Sequence, residues 1–169
     1  MQGLQIWVNL PEKEKNAKPC YQHLKKNDIP TVNKQDGIII KVLVGSAENV
    51  ISSIQTQSPV SIFDIQFSES KKITFDIHKR QIAMIYIING ELEFSEVNKV
   101  AKKGQMIFFD QSSNKIQITS KSNKGSYLVL AGEPLNESVF RYGPFVTNTE
   151  DQMKQVIEKY QNGGMGKLS

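Results

Sequence analysis

The 169-residue chain has one cysteine, Cys20, which excludes an intramolecular disulfide and any cysteine-based zinc cluster. It has two histidines, His23 and His78, far apart in sequence. That scarcity disfavours a histidine-rich metal site and leaves no Ser-His-Asp triad to specify. Arginine is nearly absent: of 21 basic residues, only Arg80 and Arg141 are arginines. The lysines are scattered and mixed with acids, as in Glu12-Lys13-Glu14-Lys15. The small runs Lys25-Lys26, Lys71-Lys72 and Lys102-Lys103 stand beside turn residues. Nucleic-acid readers gather basic residues on one face and use arginine forks, so this pattern reads as solvated loop charge. No apolar run approaches the ~18–20 residues that span a bilayer. Residues Met1 to Leu10 carry no basic segment ahead of an apolar one, so no signal peptide is expected. No Gly-rich phosphate loop is present. A lone Cys20 between Pro19 and Tyr21 fits a reducing, cytoplasmic setting and reads as an inert loop thiol, although His23 is nearby.

What is present is β structure. A length of 169 residues suits one domain, large enough to bury roughly 70% of its unfolded surface without a metal or disulfide. Leu4, Ile6 and Val8 alternate with Gln5, Trp7 and Asn9 up to Pro11, which predicts a strand. Residues 12–34 are polar, hold two prolines and show no period, so they read as a surface segment. Further strands are expected at Ile38 to Val44, Val60 to Phe67, Ile73 to Ile77, Ala83 to Ile88, Glu91 to Phe94, Met106 to Phe109, Ile116 to Thr119 and Tyr127 to Ala131. Asn89-Gly90 stands between two of these runs and predicts a hairpin with a type I′ turn, which needs φ > 0 at both central residues. Short strands at this spacing argue an antiparallel sandwich or barrel.

One segment has a helical period. Met153, Val156, Ile157 and Tyr160 share a face, and Thr149 with Gln152 forms a capping box. Gly163-Gly164 supplies the stop, placing the helix at about Glu150 to Gln161.

The residues around the predicted hairpin have a recognisable framing. The run Tyr86-Ile87-Ile88-Asn89-Gly90-Glu91-Leu92, followed by Lys103-Gly104-Gln105 and Phe108-Phe109, resembles a cupin barrel. Three more stretches resemble the pirin family: Gly3 to Pro11 with its tryptophan, Ala131-Gly132-Glu133-Pro134-Leu135-Asn136-Glu137, and Arg141 to Thr149. The resemblance implies an all-β, antiparallel, jelly-roll-like cupin barrel with one C-terminal α-helix. Pirins have two cupins. Their iron sits in the first, held by three histidines and a glutamate, and the second is metal-free. The chain then corresponds to the second cupin, with the first lying upstream. Residues 1–12 become a crossing strand that in the family joins the first cupin, and 13–36 a surface linker. Residues 37–148 become the metal-free cupin, and 149–169 the C-terminal helix and tail.

The metal question can be put to these residues directly. Counting back from Gly90 by the cupin ligand spacing places the glutamate position at Ala83. The two histidine positions fall near Ile77 and Lys79, or near Asp76 and His78 if one residue is added. Counting forward from Gly104 places the last histidine near Lys115. At best Asp76 and His78 survive, so no metal, cofactor or catalytic residue is expected in this chain. Iron or another divalent metal would belong to the first cupin. Glu91 and Glu93 share a strand face and read as exposed polar positions, and Tyr86 as core or rim.

The expected role is a non-catalytic module with a structural or interaction role beside a metal-bearing cupin, or through self-association. Its interface candidates are Leu4, Ile6, Trp7, Val8, Arg141 and Tyr142. The other expectation is a fragment of a pirin-type quercetin 2,3-dioxygenase whose active site lies in the N-terminal domain. Transcription-cofactor binding, which the family suggests for eukaryotic pirins, would rest on the metal-bearing surface. No nucleic-acid or membrane partner is expected.

Overall fold

The computed structural model describes residues 3–34, 37–110 and 115–165. Along the chain run β1 (Thr31–Lys34), β2 (Ile38–Val44), β3 (Ser46–Ala47), β4 (Val50–Ile51), β5 (Val60–Phe67), β6 (Lys72–Asp76) and β7 (Ile82–Asn89). Then come β8 (Glu91–Phe94), β9 (Lys99–Lys102), β10 (Met106–Phe108), β11 (Lys115–Ser120), β12 (Gly125–Gly132), β13 (Phe140–Tyr142), β14 (Phe145–Thr147) and the helix α1 (Glu150–Gln161). The chain divides into two compact units, Cys20–Pro134, and Met1–Pro19 with Leu135–Ser169.

The larger unit holds two antiparallel sheets. One has the order β1-β2-β5-β12-β7-β10, the other β6-β11-β8-β9. Alternation decides which side chains face inward. Ala83, Ile85 and Ile87 from β7 and Tyr127, Val129 and Ala131 from β12 meet Ile73, Leu92, Phe94, Ile116 and Ile118 from the second sheet in one core. Val42, Ile65, Ile85, Ile87, Leu92, Ile118 and Val129 are fully buried. This is the antiparallel all-β architecture that the strand spacing predicts.

Asn89-Gly90 behaves differently from its prediction. No hairpin joins β7 to β8: β7 pairs with β12 and β10, and β8 pairs with β11 and β9. Only Gly90 has positive φ (87°), so the two-residue type I′ turn does not form. Position 90 is also one that favours glycine. A Cβ at Gly90 would lie 3.1 Å from both the Lys124 carbonyl oxygen and the Tyr127 hydroxyl. The chain turns a corner against the start of β12 and passes from one sheet to the other.

Two other expectations are corrected. Residues 3–10 form no strand, and Leu4, Ile6, Trp7 and Val8 are exposed. Alternation supplies a pleated face, but a strand also needs a hydrogen-bonding partner, and the described residues offer this segment none. The expected linker 13–36 ends in β1, which pairs with β2 and places Val32 in the core. Its Gln35 and Asp36 lie outside the described residues, as do residues 111–114 of the expected cupin span and 166–169 of the tail.

In the smaller unit, β13 and β14 form a hairpin and α1 follows. The helix has the predicted bounds, and both bonds of the Thr149–Gln152 capping box are present. Glu137 ties this unit together. Its carboxylate accepts from the Glu12 backbone N–H (2.8 Å) and the Asn148 side-chain amide (2.9 Å). Gln152 in turn donates to the Glu12 carboxylate. The compact units therefore part near Pro134 rather than at residue 148, because β13 and β14 pair only with each other and group with the helix.

Candidate functional site

Two cavities open in the larger unit, both bordered by Ile77. The counted ligand positions fall around them. Asp76, at the end of β6, and His78, just beyond it, line a cavity of about 360 Å³. Ala83 on β7 and Lys115 on β11 line one of about 450 Å³. Asp76 and Lys115 are register partners across the β6–β11 pair. The four positions counted from Gly90 and Gly104 are thus divided between two cavities.

The donor set there does not fit a divalent metal. Ala83, at the position counted for the glutamate, is buried and presents only a methyl group. Lys115 brings a cation, which repels a second cation. Among the described residues no group of three or more His, Cys, Asp or Glu comes together. His78 is exposed and has a different set of neighbours. Its Nδ1 accepts from the Arg80 backbone N–H at 3.4 Å and lies 3.6 Å from Glu133 Oε1. Arg80 Nε reaches the same Glu133 oxygen at 3.1 Å. Glu133, singled out in the sequence within the 131–137 stretch, is a structural ion-pair centre here.

None of the remaining candidates lines either cavity. Glu91 pairs with Lys102 (3.5 Å) and Glu93 with Lys121 (3.4 Å), all at the surface. Tyr86 is half-buried on β7 and Cys20 is exposed. Tyr21 stacks against the His23 ring with centroids 6.4 Å apart. Arg141 and Tyr142 are exposed on β13, and Arg141 makes no ion pair among the described residues. All six interface candidates fall in the smaller unit.

Tyr127 is a residue whose role the sequence hides. Its hydroxyl lies 3.0 Å from Ser120 Oγ and donates to the Glu91 carbonyl at 3.1 Å, while its ring meets Phe67 edge-on. Burial pushes its phenol above the usual value; the Ser120 hydrogen bond opposes that and the nearby Glu91 charge adds to it. The Gly125-x-Tyr127 spacing is the only sequence signal for this arrangement.

Comparison with known proteins decides the family. Residues 62–166 match the model of the pirin C-terminal cupin domain. The chain belongs to the pirin family. It is 34% identical to human pirin over 168 residues, covering 97% of this chain and 57% of that protein. It is 31% identical to a pirin-like protein of Solanum lycopersicum, covering 97% of this chain and 56% of that one. The chain thus spans little more than half the length of these pirin relatives. A solved quercetin 2,3-dioxygenase from Acinetobacter baumannii superposes with a TM-score of 0.88 at 24% identity, over 96% of this chain and 56% of that one. That likeness establishes the cupin fold. The expected all-β cupin with one C-terminal helix stands, and no helix among the described residues is long and apolar enough to cross a membrane.

Proposed function

We propose that this pirin-family chain is a non-catalytic cupin module with a structural or interaction role beside a metal-bearing cupin. The observation that supports this most is the pair Ala83 and Lys115, a methyl group and an ammonium where a cupin metal needs oxygen and nitrogen donors. On this reading the chain holds no cofactor of its own, and iron or another divalent metal belongs to the partner cupin. Leu4, Ile6, Trp7 and Val8, with Arg141 and Tyr142, form the surface offered to that partner or to a second copy of the chain. Exposed apolar residues in such a group are costly in water and gain by being covered. The scattered lysines argue against a nucleic-acid partner, the lack of long apolar runs against a membrane one, and the single exposed thiol suits the cytoplasm.

Elemental analysis of the purified chain tests this reading. Metal far below one equivalent is expected, and near-stoichiometric iron, manganese or nickel would overturn it.

A second reading takes the chain as part of a pirin-type quercetin 2,3-dioxygenase. It is favoured by the fold shared with the Acinetobacter enzyme. Oxygen uptake with quercetin separates the two: the chain alone is expected to show none, and a supplied metal-bearing pirin cupin restores uptake only if the second reading holds.

A further inference from the structure

The two sheets of the larger unit have four outer strands, β1 and β10 on one and β6 and β9 on the other. An open strand edge invites pairing with another chain, and lysine on the edge is a common deterrent. Lys34 stands in β1, Lys72 in β6, and Lys99 and Lys102 in β9. β10 reads Met106-Ile107-Phe108 and carries no charge. Met106 is 42% exposed and Phe108 70%. Both stand on the outer face of their sheet, opposite the half-buried Tyr86 and Met84 of β7, with the exposed Ile82 further along the same face. The edge is thus bordered by an apolar strip that gains by being covered.

The backbone of this edge is also unused. The Gln105 carbonyl accepts from the Ile87 N–H and the Phe109 N–H donates to the Ala83 carbonyl, each at 3.0 Å. Backbone polar groups alternate sides along a strand. Residues 105, 107 and 109 therefore face β7. Met106 and Phe108 turn their N–H and C=O groups to the open side, where the sheet has no further strand among the described residues.

We propose that β10 pairs with β10 of a second copy of the chain, antiparallel about a two-fold axis at Ile107. In that register Met106 of each copy lies directly opposite Phe108 of the other. Each such pair exchanges N–H···O=C bonds in both directions, using the groups that face the open edge. Each pair also sets a thioether against an aromatic ring, a favourable contact. The edge is therefore complementary to itself, offering a sulfur where its image offers a ring. A parallel pairing would instead place Met106 beside Met106. The contact is isologous and closes as a dimer. The strands left at the ends of the joined sheet are both β1, whose Lys34 discourages further growth. A pairing over so short a strand is small beside the roughly 1,200–2,000 Å² of a stable complex, so the dimer is weak and concentration-dependent. It uses neither residues 3–10 nor a metal. Its failure leaves the proposed role standing, and a bound metal would overturn that role without touching this edge.

Sedimentation equilibrium of the full chain tests this, and a reversible monomer–dimer equilibrium is expected. Phe108→Ser should weaken it at least about tenfold, because the two-fold axis removes the contact twice. Met106→Lys and Phe108→Glu should each leave a monomer at concentrations where the parent dimerises. Mixed in equal amounts, these two variants should associate again. The register sets the introduced cation of one opposite the introduced carboxylate of the other and keeps one Met106–Phe108 contact. Both positions are exposed, so all three variants should melt near the parent. A chain that is monomeric throughout, association that survives Phe108→Ser unweakened, or charged variants that fail to recover on mixing would each overturn the proposal.

Discussion

Asp76 and Lys115 stand directly opposite each other across the β6–β11 pair, at two positions where cupin spacing would place metal ligands. Cross-strand neighbours have Cβ atoms about 4.5–5.5 Å apart, close enough for two side chains to share one ion. The β6–β11 register thus sets an acid against a base at these two positions.

Placing donors at the four counted positions should create metal dependence. The variant Asp76→His, Ala83→Glu, Lys115→His is expected to melt lower than the parent in chelator, because the carboxylate introduced at position 83 is buried without a partner. Added nickel or iron should raise its melting temperature, since a ligand that binds only the folded state stabilises it. The parent chain should melt at the same temperature with metal or chelator. A metal-dependent shift in the parent would show a donor set other than these four positions.

Tyr127 makes alkaline stability predictable. The unfolded phenol releases its proton near pH 10, and the buried one holds it to a higher pH. A raised acid contributes stability that is complete below the unfolded value and is lost as pH rises through the folded one. Urea unfolding should therefore show a decline above about pH 10 that Tyr127→Phe lacks. At pH 7 the same substitution should cost about 1 kcal/mol, through Ser120 and the Glu91 carbonyl losing a partner. Equal alkaline slopes for the two proteins would remove Tyr127 from the account.

Gly125 is required by that same ring. A Cβ there would stand 2.1 Å from the Tyr127 hydroxyl oxygen and 2.5 Å from the carbon bearing it. Gly125→Ala forces the ring to shift within a packed core and should cost about 1–3 kcal/mol in equilibrium unfolding. Combining it with Tyr127→Leu should recover part of that loss, which separates crowding from any intrinsic effect on the strand.

In the smaller unit, Thr149→Ala removes the hydroxyl that accepts from the Gln152 N–H at 3.2 Å. A loss of about 1 kcal/mol is expected. It should appear as faster amide exchange in α1 while exchange in β5, β7 and β12 stays unchanged. Slowed or unaltered helix exchange would mean the cap contributes little.

Trp7 is the only tryptophan and is 72% exposed. Its emission should resemble free indole in dilute solution and move to shorter wavelength when a partner cupin or a second copy covers residues 4–8. Sedimentation over the same concentration range should follow the spectral change. A monomer with unshifted emission at high concentration, and no response to a metal-bearing pirin cupin, would count against that surface.

Legibility in the sequence follows where water sits. α1 is readable with its observed bounds because its caps and its apolar stripe are local features. β5 is readable as well, since a long strand in mid-sheet must be apolar over most of its length. β9 is not: Lys99 and Lys102 flank Val100 and Ala101, only Ala101 is buried, and the edge of a sheet leaves little pattern. β13 has all three residues exposed, so no alternation betrays it. Residues 3–10 err in the opposite direction, showing a strand's pattern without a strand's partner. The Asn89-Gly90 dipeptide signals a bend but not which sheet the chain enters next. The spacing that counts out Asp76, His78, Ala83 and Lys115 says nothing of their division between two cavities, which follows from sheet geometry.

The sheet order has a consequence for how the chain is made. β12 lies between β5 and β7, so the last strand of the larger unit is the one that joins its two halves. Until Gly132 has left the ribosome, β5 and β7 each present an unpaired edge, and the core sheet cannot be completed. A nascent chain shorter than this is a set of open strand edges exposed to misassociation. Folding of the unit must then wait for contacts between segments distant in sequence, which places it among slow-folding topologies.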